Sequence, residues 1–138
     1  MNKNKLLITV LIIAIIGVFV AYKMYNKPHI NVGSSKSDIT LTANKIINDF
    51  STDESKANIT YLDKIIQVSG TVSKTEIVKE KGIISLETND DFGNVLCHLS
   101  TEATQKINTL KKGQTISVKG ICTGYLMDVI LVKCELIN

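Results

Sequence analysis

Ile66-Gln67-Val68-Ser69-Gly70-Thr71-Val72-Ser73 alternates without a break, with Ile66, Val68, Gly70 and Val72 on one face and Gln67, Ser69, Thr71 and Ser73 on the other. A period of two is that of a strand with one face in a core and the other in water. Ser117-Val118-Lys119-Gly120-Ile121-Cys122 repeats the pattern and again sets a glycine in mid-strand. Small barrels need such glycines where a strand coils sharply, so the two segments read as neighbouring strands of one closed sheet.

Between and beyond them the same reading continues. Ile84 and Leu86, then Val95, Cys97 and Leu99, mark two more strands, joined through the turn-forming run Asn89-Asp90-Asp91-Phe92-Gly93-Asn94. A helix is expected next, with Thr101 and Glu102 in its first turn, Ala103, Ile107 and Leu110 as its buried stripe, and Lys111-Lys112-Gly113 as its stop. Ile116, Val118, Gly120 and Cys122 form a fourth strand. After a turn at Thr123-Gly124-Tyr125 a fifth runs to Ile137, with Val132, Cys134 and Leu136 expected inward and Lys133 and Glu135 outward. Three strands, a helix and two strands is the order of an OB-fold, a five-stranded barrel of mainly β (α+β) class with its helix between strands three and four.

Upstream, Thr42 suits the N-cap of a short helix whose Ala43, Ile46, Ile47 and Phe50 recur at helical spacing, and Thr52 the N-cap of a second helix running toward Tyr61. Residues 26–37, NKPHINVGSSKS, hold the only proline and a Gly-Ser-Ser run, and read as a flexible tether with a reach of roughly 20 Å. Before the tether, Leu6 to Tyr22 read LLITVLIIAIIGVFVAY, uncharged and framed by Lys3, Lys5, Lys23 and Lys27. As a helix this run spans roughly 26 Å, enough with flanking lysines to cross a hydrocarbon core of about 30 Å. A cleaved signal peptide is the alternative, but cutting after Ala21 would leave Phe19 where a small residue is needed. The expected organisation is an N-terminal transmembrane anchor over residues 1–25, a tether over 26–40 and an OB-fold domain over 41–138. The protein is then a single-pass membrane protein with its C-terminal domain outside the cytoplasm, on the periplasmic or envelope side, although lysines on both flanks bias the orientation only slightly.

Charge narrows the partners. Four of the sixteen lysines flank the apolar run, and the other twelve face all thirteen acidic residues, a net charge of −1 for the chain from Asn31 onward. There is no arginine. Such a domain lacks the phosphate footprint and the bidentate guanidinium fork of nucleic-acid binders, so nucleic acid is not the expected ligand.

Ala57 to Tyr61, Lys64 to Val72, Leu110 to Gly113, and above all Lys119-Gly120-Ile121-Cys122-Thr123-Gly124-Tyr125-Leu126-Met127-Asp128-Val129-Ile130-Leu131 up to Cys134 resemble the tRNA_anti-like family of bacterial OB-fold domains. The resemblance covers about Thr42 to Ile137. It implies the fold, a place behind a signal or membrane segment, and likeness to anticodon-binding domains, but it supplies no functional residues.

Candidate chemistry is sparse. Cys97, Cys122 and Cys134 fall on inward faces and read as small core residues; a disulfide between Cys97 and Cys134 is the rival for two of them, leaving an odd thiol. Cys97 and His98 point to opposite faces of one strand, and His29 lies in the tether, so neither a metal site nor a nucleophile with its base is expected. Asn89, Asp90 and Asp91 lack calcium-loop spacing, and Asp91-Phe92-Gly93 reads as a turn rather than a kinase motif. The loops that OB-folds use offer Lys79 and Lys81 on one side and Tyr125 and Asp128 on the other as contact residues, with Lys74, Glu76 and Glu80 mixed in. No cofactor and no catalysis are expected. The reading is a membrane-anchored, extracytoplasmic binding or interaction module, with envelope proteins as candidate partners, and single-stranded nucleic-acid binding is its alternative.

Overall fold

The computed structural model describes residues 2–26, 30–89, 91 and 93–137. The chain forms two units, one ending at Ile30 and one beginning at Asn31. The first is helix α1 (Lys3–Tyr25), exposed along its whole length. It outruns the apolar stretch at both ends, and its 23 residues measure about 34 Å. That is long and apolar enough to cross a membrane. Inside it the Lys23 ammonium lies 5.4 Å from the centre of the Phe19 ring.

The second unit is built on one long strand. β2 (Ile65–Val78) pairs along its first half with β5 (Thr115–Leu126), from Ile65 opposite Ile121 to Thr71 opposite Thr115. Its second half pairs with β3 (Lys81–Glu87), from Thr71 opposite Glu87 to Val78 opposite Lys81. β4 (Val95–Leu99) and β6 (Asp128–Ile137) complete the circuit β2-β3-β4-β6-β5, closed by the β2–β5 pairing. This is the expected five-stranded OB barrel, in which β4 and β6 run parallel and the other barrel pairs antiparallel. The echo between the two glycine-bearing strands is literal, since Gln67 faces Lys119 and Val68 faces Val118.

The core follows the alternation. Ile66, Val68, Val72, Ile84, Leu86, Val95, Cys97, Val118, Cys122, Val129, Leu131 and Cys134 fill the barrel. Helix α2 (Ala43–Thr52) adds Ala43, Ile46, Ile47 and Phe50, and α3 (Glu54–Tyr61) adds Ala57 and Tyr61. Thr42 caps α2 as expected, its hydroxyl accepting from the Lys45 N–H at 3.2 Å. Among the described residues, none that is buried is polar or charged.

Several expectations are corrected. Asp53, not Thr52, caps α3, accepting from Lys56 N–H at 3.1 Å. The helix after β4 is only the turn α4 (Thr101–Thr104), capped by Ser100, followed by a 3-10 turn over Ile107–Thr109. The tip between β5 and β6 is Met127, in the left-handed region at φ 66, rather than Gly124 and Tyr125. In β6 a bulge opposite Cys97–Leu99, at a left-handed Lys133 (φ 53), turns Val132 out of the core while Cys134 faces in.

A sixth strand, β1 (Ile39–Thr42), lies outside the barrel, parallel to the first half of β2 with Ile39 opposite Ile66. It covers the β2 edge that β3 does not reach, and four residues ending in a helix cap are too short to show a period. Within the run read as tether, Val32 is buried and the Lys119 ammonium donates to the carbonyls of Ser35 (2.6 Å) and Gly33 (3.1 Å).

Candidate binding face

OB-folds bind on the outer face of their second and third strands, here β3 and β4. On β3 the outward residues Ile83 and Ser85 are half-buried, and on β4 so are Leu96 and His98. Register aligns them into two rows across the sheet. Lys74, Ser85, Leu96 and Ile130 form one, and Glu76, Ile83 and His98 the other. Lys74 and Glu76 form an exposed ion pair at 2.8 Å, and Lys81 at the start of β3 is a second, exposed lysine on this face. What remains is an aliphatic strip of Ile83, Leu96 and Ile130, with the His98 imidazole as the one ring among these outward residues.

The two flanking turns extend that character. β2 is a strand as far as Val78, so Lys74 and Glu76 sit in the sheet rather than in a loop, and the β2–β3 turn is only Lys79-Glu80, both left-handed (φ 49 and 65), as a tight two-residue hairpin demands. Ile77 and Val78 stand exposed beside it. At the other turn Leu126 and Met127 are 81% and 68% exposed.

The four contact residues expected from sequence are not brought together. Lys79 in the β2–β3 turn and Lys81, the first residue of β3, are exposed. Tyr125 instead turns toward the core and stacks on Phe50, ring centres 5.5 Å apart and planes 20° apart, so one face of its ring is already covered. The Asp128 carboxylate accepts from the Asn94 N–H at 2.7 Å and pins the turn between β3 and β4 to the β5–β6 tip. Asp90 and Phe92 of that turn, like Lys27, Pro28 and His29, lie outside the described residues. Cys97 is fully buried while His98 faces outward opposite Ile83, so the two side chains do not converge. Ile83, Leu96 and Ile130 escaped the sequence reading because alternation was used to find the inward face. The signal available was an apolar residue where a half-buried strand calls for a polar one.

One polar cluster lies away from this face. Asp49 accepts from the Tyr61 hydroxyl and from Lys45, whose ammonium is 2.6 Å away. Burial works to raise the Asp49 pKa, but the bonds from Lys45 and Tyr61 outweigh it and hold the carboxyl below its ordinary value. Burial, then the bond to Asp49, pushes the Tyr61 hydroxyl up to about 12. The neutral phenol is therefore the form the fold stabilises. That stabilisation is complete below pH 10 and is lost as pH rises through about 12. In a spectrophotometric titration one of the four tyrosines should ionise late, and Tyr61→Phe should remove that late component. A titration in which Tyr61→Phe deletes an ordinary component near pH 10 would contradict the buried bond.

Residues 1–136 match the model of the tRNA_anti-like family, so the match takes in the apolar helix as well as the barrel. The chain belongs to the tRNA_anti-like family. No curated protein matches it by sequence. Among solved structures, this tRNA_anti-like chain is similar to a Klebsiella pneumoniae lipoprotein proposed to bind nucleic acid, with a TM-score of 0.62, 13% identity, and coverage of 75% of this chain and 100% of that one. It is also similar to part of a Leishmania major protein proposed to be an aspartyl-tRNA synthetase, with a TM-score of 0.50 and 13% identity, over 88% of this chain but 25% of that one. Both likenesses show the fold.

Proposed function

We propose that the protein is a membrane-tethered, non-catalytic binding module of the cell envelope whose β3–β4–β6 face takes an apolar segment of a partner protein. The observation that carries the reading is the strip of Ile83, Leu96 and Ile130 on the face where OB-folds bind, with Lys74 beside it paired to Glu76. Binders of single strands stack bases on several aromatic rings along a basic groove. This face offers aliphatic side chains in a chain without arginine. The apolar helix supports the tether, and the description of the Klebsiella relative as a lipoprotein supports an envelope setting.

Nucleic acid is the second reading, favoured by what the same relative is proposed to bind. Fluorescence anisotropy of a labelled single-stranded 20-mer against the full chain in detergent separates the two. No saturable binding is expected at physiological salt with the chain at about 100 μM, the weak end of non-specific affinity. Micromolar affinity with a steep salt dependence would replace the first reading by the second. For the tether, protease added to cells with opened outer barriers and a sealed inner membrane should remove the domain from Asn31 onward. Protection until lysis would place it inside.

A further inference from the structure

Of the three thiols, geometry singles out one pair. Cys122 on β5 stands opposite Leu131, and Leu131 stands opposite Cys97, so a whole strand separates Cys122 from Cys97, about 9.6 Å at the usual spacing. Cys134 lies three residues beyond Leu131 along β6, roughly 10 Å from the position Cys122 faces. Cys134 and Cys97 are on adjacent strands, β6 and β4, with Cys134 opposite Leu99. In a regular ladder continuing from the Cys97–Leu131 pair, Lys133 would face inward and Cys134 outward. The extra β6 residue at the bulge, with Lys133 left-handed, reverses that order. Cys134 therefore points into the barrel, fully buried like Cys97, whose thiol is its neighbour there. Gly120 makes the room for this: a Cβ there would lie 2.5 Å from the Cys134 sulfur.

We propose that Cys97 and Cys134 form a disulfide that staples β4 to β6, the parallel seam of the barrel, when the chain folds in an oxidising compartment. Burial pushes the Cys134 thiol well above its ordinary pKa, so its thiolate is scarce once the barrel has closed and the oxidation belongs to folding. The oxidant is a small-molecule or protein disulfide. One cysteine thiolate attacks it and releases one thiolate; the second cysteine thiolate then displaces the other from the mixed disulfide. The protein gives up two protons and two electrons, and the oxidant leaves as two thiols. The bond forms without Cys122, which stays a free core thiol.

The test is cell-free synthesis of the full chain into detergent micelles in a reduced and oxidised glutathione buffer, followed by denaturation, alkylation, digestion and mass spectrometry. The expected product is a Cys97 peptide joined to a Cys134 peptide, 2 Da lighter than the two separate thiol peptides, with Cys122 alkylated. Cys122→Ser should leave that link in place, while Cys97→Ala should leave Cys134 alkylated. The oxidised chain should melt roughly 10 to 15 °C above the reduced one. Alkylation of all three cysteines in the glutathione buffer, or a link that involves Cys122, would overturn the proposal.

Discussion

Phe50→Ala is expected to lower the melting temperature of the barrel unit by roughly 12 to 20 °C. Phe50 is 1% exposed and stands where the helical layer meets the barrel, with the Tyr61 ring centre 5.8 Å away and the stacked Tyr125 ring centre 5.5 Å away. Truncation removes a large transfer term and leaves a cavity beside two rings that are themselves fixed, Tyr61 by its bond to Asp49 and Tyr125 by its place in β5. Losses for such a change run at about 3 to 5 kcal/mol, and a domain of this size loses about 4 °C per kcal/mol. Phe50→Leu keeps most of the volume and should cost under about 1.5 kcal/mol. Thermal unfolding followed by circular dichroism measures both. Equal melting temperatures for Phe50→Ala and the parent would mean that α2 is not part of the cooperative unit.

Replacing Leu96 and Ile130 together by threonine is expected to weaken partner binding roughly a hundredfold while moving the melting temperature by only a few degrees. The two residues are register partners on the outer sheet face and half-buried there, so threonine keeps a shape that strands accept and removes apolar surface a partner would cover. Each loss is about 1 to 1.5 kcal/mol, or roughly tenfold. The same pair of changes made at Gln67 and Lys119, partners on the β2–β5 side, should leave binding untouched. A partner held equally well by both double variants would move the site off the β4–β6 face.

How much of this was legible depends on which physical rule each residue obeys. Strict alternation exposed the inward faces of β2, β3, β4 and β5, because one face of each is buried and a slip of one residue would expose it. The bulge at Lys133 was not legible: left-handed lysine has no sequence signature, and it displaced Val132 from the core. β1 was hidden by its length. Tyr125 and Asp128 were singled out as an exposed ring and charge in a binding loop, yet one stacks on Phe50 and the other holds Asn94. Sequence shows which side chains are aromatic or charged but not which partners within the fold they take. Leu96 and Ile130 became visible only when the register placed them side by side, with Ile83 in the next row.

The most direct test of the proposed face is a photoreactive amino acid in place of Ser85, which lies between Lys74 and Leu96 in the outward row, compared with the same group at Lys112, an exposed position in the loop before β5. Both full-length chains would be irradiated in living cells. Adducts that form at position 85, are absent at position 112, survive nuclease and are cut by protease are expected. Adducts at position 85 that nuclease removes would contradict a protein-binding face and make nucleic acid the ligand.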